Sequence, residues 1–71
     1  MQAQPPLWRD EQGRPIACAE KLKMLNGNLD ELRQMCADAL EDAVLMGCAD
    51  ADMRAALRQM IDHLPTPFRT A

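Results

Sequence analysis

Seventy-one residues allow one domain at most, and a chain this short buries only about 60% of the surface that its unfolded form exposes. Apolar residues make up 48%, but there is one Trp, one Phe and no Tyr, a composition that suits close helix-on-helix packing and offers little to the pleats of a sheet. The net charge of −3 is concentrated in an acidic middle: residues 28–53 carry one base (Arg33) against seven acids, which disfavours a phosphate backbone and so nucleic acid as a partner.

The first residues, MQAQPPLWRDEQG, lack a basic stretch followed by an apolar one, so no secretory signal is expected there. Residues 1–14 read as an irregular arm, since Gln4–Pro15 holds three Pro and a Gly and shows neither helical nor alternating periodicity. Trp8 in this arm either folds back to cap the helices or meets a partner, because Trp is enriched at binding hot spots. Pro15 suits the first position of a helix, where its missing N–H costs nothing.

From there Cys18, Leu22, Leu25, Leu29, Leu32, Cys36, Ala39, Ala43 and Met46 recur at alternating spacings of four and three. That is a heptad seam through about four heptads, with Cys18, Leu25, Leu32, Ala39 and Met46 at d. Beyond the middle it widens, as Leu40, Val44 and Leu45 join and Met35 flanks it. The stretch Asn26-Gly27-Asn28 offers local signals for a break. Gly in a helix interior costs about 1 kcal/mol relative to Ala, and Asn28 with Glu31 resembles a capping box. The seam nevertheless keeps its phase across Gly27, which places all three residues at flanking or outer positions. A continuous helix over residues 15–46 is therefore favoured; a break at Gly27, giving a three-helix bundle monomer, is the alternative.

Gly47 fits the left-handed position just past a helix. Asp50 is a candidate N-cap for a second helix over residues 51–64, with Asp52 in its first turn. Met53, Leu57, Met60 and Leu64 recur along it, and Pro65 and Pro67 end it, leaving a tail (65–71) that holds Phe68. The expected fold is all-α: a helical hairpin domain over 15–64, with no strand.

The first helix would span about 48 Å and the second about 21 Å. The short one can cover only part of the long one, so the N-terminal seam would face water as an apolar interface. A second copy would cover it, closing an antiparallel four-helix bundle through Cys18, Leu22, Leu25, Leu29, Leu32 and Cys36. Antiparallel pairing also brings Lys21 and Lys23 towards the acidic Asp38, Glu41 and Asp42 of the other copy.

Three cysteines, 18 and 12 residues apart, make no disulfide framework. Cys18, Cys36 and Cys48 are candidate soft-metal or thiol-sensing residues. With no CxxC and no Cys/His pair one helical turn apart, small seam residues (Cys18, Cys36) and a turn residue (Cys48) are the plainer account. His63 suits the negative end of a helix, and no activated nucleophile accompanies it. The acidic positions Asp30, Glu31, Asp38 and Glu41 form either a solvated face or a docking face for a basic partner. The sequence therefore points to a non-enzymatic, cofactor-free interaction module, an adaptor or regulatory homodimer. A cytoplasmic location is expected, with protein partners and neither nucleic acid nor membrane; the alternative is a metal-binding or redox-sensing helical protein.

Overall fold

The computed structural model describes residues 7–66. It contains two helices, α1 (Ala19–Leu45) and α2 (Asp50–Asp62), and no strand among the described residues. Phe68 and most of the tail lie outside them. The chain divides into two compact units, Met1–Gln34 and Met35–Ala71, and α1 runs through the boundary as one 27-residue helix.

Gly27 therefore interrupts nothing. A Cβ built on it would meet no atom within 4 Å, so this glycine faces open space on the outer side of the helix. The phase of the leucines carries the helix through, and the outward position makes the local propensity cost tolerable. Replacing Gly27 by Ala should accordingly raise stability by about 1 kcal/mol in urea unfolding followed by circular dichroism. A chain reversing at a left-handed Gly27 would lose stability instead.

Both helices differ at their ends from the sequence expectation. α1 begins at Ala19, because Pro15 belongs to the arm. From Trp8 to Ile16 the chain forms an ordered hairpin: Arg9 and Pro15 form an isolated antiparallel bridge. The Asp10 N–H donates to the Arg14 carbonyl at 2.8 Å and the Ile16 N–H to the Trp8 carbonyl at 2.9 Å. Those bonds flank the Arg9–Pro15 pair and make it a non-hydrogen-bonded one, the place in a ladder where Pro loses no donor.

The hairpin loop is closed by the Gly13 N–H on the Asp10 carbonyl at 3.0 Å. Gly13 has φ +83°, the left-handed conformation that closes three-residue hairpin loops. The Asp10 carboxylate accepts from the N–H groups of Gln12 and Arg14, both at 2.9 Å, and meets Arg14 Nε at 3.2 Å. Arg9 Nη1 also donates to the Gly13 carbonyl at 2.9 Å. Asp10 thus organises the turn with its side chain, a role short acidic residues take in loops.

In the second unit α1 stops at a Schellman turn. The Gly47 N–H donates to Val44 at 3.0 Å and the Cys48 N–H to Ala43 at 2.8 Å, with Gly47 at φ +89°. α2 opens on Ala49, not Asp50, as N-cap and without a side-chain cap bond. Asp50 is the first helical residue, and its carboxylate pairs with Arg54 Nε at 2.7 Å. It still lies in the first turn, where negative charge opposes the positive end of the helix dipole. At the far end His63 closes the helix: its N–H donates to the Gln59 carbonyl at 3.1 Å, and its Nδ1 lies 2.7 Å from the same oxygen.

Candidate interaction surfaces

The first unit joins the arm to the N-terminal half of α1. A hairpin alternates its side chains between two faces, so Trp8 and Ile16 share one face while Arg9 and Pro15 share the other. Exposure follows that division: Trp8 and Ile16 are half-buried, Arg9 and Pro15 exposed. On the N-terminal half of α1 the half-buried residues are Leu22, Leu25, Asn26 and Leu29, spaced as a single helical stripe. Trp8 Nε1 donates to Asn26 Oδ1 at 2.7 Å, fastening the hairpin beside that stripe. A partly buried indole N–H needs an acceptor, and Asn26 supplies it.

The expectation that Leu22, Leu25 and Leu29 stand in water is therefore corrected, since they lie half-buried beside the chain's own arm. Leu32, one step along the same seam, is 55% exposed. Cys18, at the start of the expected seam, is exposed and stands immediately before α1. There the backbone N–H groups of Lys21 and Glu20 donate to its sulfur and hold its thiol below the ordinary value, as expected for a thiol capping a helix N-terminus.

The second unit pairs the C-terminal half of α1 with α2. Cys36, Ala39 and Leu40 are half-buried on α1, Met53 and Leu57 on α2, and Ala43 is buried. The widening of the seam is real only at Leu40; Val44 and Leu45 are exposed, as is Met46 at its end. On α2 the apolar stripe runs on from Met53 and Leu57 to Met60, and Leu64, expected inside the helix, follows just past its end; both are uncovered, at 53% and 61% exposure. Met35 is 68% exposed. Two helices can shelter only the strip between them, and this unit leaves large apolar side chains on either side of it.

The acidic positions all face solvent. Asp30 pairs with Arg33 Nη1 at 2.7 Å, which offsets part of its charge. The cysteines are unbridged: Cys36 is half-buried in the seam, and Cys48 is exposed in the turn with Sγ 3.5 Å from the Ala49 carbonyl. Among the described residues no three His, Cys, Asp or Glu side chains are grouped as metal ligands would be, and no helix is long and apolar enough to cross a membrane. The hairpin arm escaped sequence reasoning, though its signal was present: Asp10 and Gly13 occupy the first and fourth positions that a β-turn favours.

Set against family models, curated proteins and solved structures, the chain matches none.

Proposed function

We propose that this chain is a small, non-enzymatic protein–protein interaction module of the cytoplasm, an adaptor or regulatory subunit that works as a helical homodimer. The observation that carries the reading is the near-absence of an enclosed core. Among the described residues only Ala43 is buried, while Leu32, Met35, Met60 and Leu64 remain more than half exposed. Chains of this size commonly gain their missing apolar burial by associating.

A second copy in antiparallel orientation supplies what two helices lack, closing a four-helix core along the seam of α1. Its charge pattern favours that orientation. Residues 19–27 carry Lys21 and Lys23 against Glu20, and residues 34–45 carry Asp38, Glu41 and Asp42 with no base. Antiparallel pairing sets opposite charges together, and parallel pairing clusters the acids. Asp30 and Glu31, away from those contacts, then stay outward, where a basic protein partner would meet them.

Sedimentation equilibrium of the full chain between micromolar and several hundred micromolar tests this reading. The expected mass is twice the 8.0 kDa of one chain, with an association constant that falls as salt screens the Lys–acid contacts. A helical chain that stays monomeric throughout that range would end the proposal.

A further inference from the structure

We infer that the arm is a detachable strap, which occupies the N-terminal seam of α1 in place of a second copy and so restrains the association proposed above. The inference rests on that association and adds to it an intramolecular competitor.

Three observations carry it. The first is the position of the arm. It is fastened by Trp8 to Asn26 amid Leu22, Leu25 and Leu29, and these leucines are the continuation of the seam that is bare at Leu32. The arm and an antiparallel second helix therefore need the same leucines. The second is the self-sufficiency of the arm. Its backbone bonds from Asp10 to Arg14, Gly13 to Asp10 and Ile16 to Trp8 close within the hairpin, as do the contacts of the Asp10 carboxylate. Lifting the hairpin off the helix leaves all of these intact. What detachment gives up is the indole hydrogen bond and the partial burial of Trp8 and Ile16, a modest loss that intermolecular burial of the same leucines can replace.

The third observation names the occupant. The uncovered seam would lie beside Lys21 and Lys23, whose charge complements the acidic C-terminal half of α1. A second copy brings that acidic half to this place in antiparallel pairing, and its own heptad stripe matches the seam in period.

Trp8 is the only Trp in the chain, so its fluorescence reports the arm directly. Asn26→Ala removes the acceptor and keeps the reporter; Trp8→Ala removes the anchor itself. The expected result for Asn26→Ala is a red-shifted Trp8 emission and severalfold tighter self-association. For Trp8→Ala, sedimentation should show a dissociation constant lowered about thirtyfold, because roughly one anchoring interaction is lost from each of the two monomers that must release their arms. Far-ultraviolet dichroism should show helix retained in both. If the wild-type chain dimerises and both variants dimerise equally or more weakly, the arm is no competitor and the inference falls while the homodimer stands. If none of the three chains associates, the homodimer and the strap fall together.

Discussion

Replacing Ala43 by Glu should weaken the hairpin formed by α2 and the end of α1, lowering stability by about 3 kcal/mol. Ala43 is the one buried side chain among the described residues, at 5% exposure, and its carbonyl receives the Cys48 N–H that closes the turn. A methyl group at this point lets the half-buried Leu40, Met53 and Leu57 come together. A longer side chain ending in a carboxylate must either force the helices apart or lose its water without a partner. A domain of this length has a total stability of about 4–10 kcal/mol, so such a change removes a third or more of it. Ala37→Glu is the matched control, because it adds the same charge to an exposed position of the same helix and should stay within about 0.5 kcal/mol of the wild type. Urea titration followed at 222 nm compares the two. Equal midpoints would mean that packing at Ala43 does not hold this hairpin.

Periodicity made the helices legible. The recurrence of Leu22, Leu25, Leu29 and Leu32 on one phase outweighed the local propensity of Asn26-Gly27-Asn28, and α1 is continuous there. Gly47 was legible because a left-handed residue past a helix end favours glycine. What failed were features decided by single side-chain bonds. Pro15 is compatible with a helix start and with a non-hydrogen-bonded hairpin position, and the Asp10 network selects the second. Asp50 is compatible with capping and with an ion pair one turn on, and Arg54 takes it. Cys18 fell on the heptad count, yet with α1 starting at Ala19 it stands at the cap, outside the helix whose seam it extends. The cover for Leu22 and Leu25 came from a segment with no periodicity at all, since a nine-residue hairpin is set by one turn and one bridge rather than by a repeating pattern. Its apolar face amounts to Trp8 and Ile16, too few residues to register as a pattern.

Leu25→Asp and Leu32→Asp place the same change on two parts of one seam and should give different results. Leu25 is half-buried beside Asn26 and the Trp8 that binds it. A carboxylate there loses apolar burial and is itself partly desolvated, so the chain should lose about 2 kcal/mol of stability, and Trp8 emission should move to the red as the arm lets go. Freed of its strap, this variant still cannot dimerise, because the charge lies in the seam that the strap had covered. Leu32 is 55% exposed within its own chain, so Leu32→Asp should leave Trp8 emission as it was and cost no more than about 1 kcal/mol, chiefly in helix propensity. Its effect should appear in association, which should weaken at least tenfold when an unpartnered charge enters the interface. A Leu32→Asp chain that dimerises like the wild type would remove Leu32 from the interface. A Leu25→Asp chain whose Trp8 emission does not move would show that the arm is held by something other than the leucine stripe, since the hydrogen bond to Asn26 alone survives that substitution.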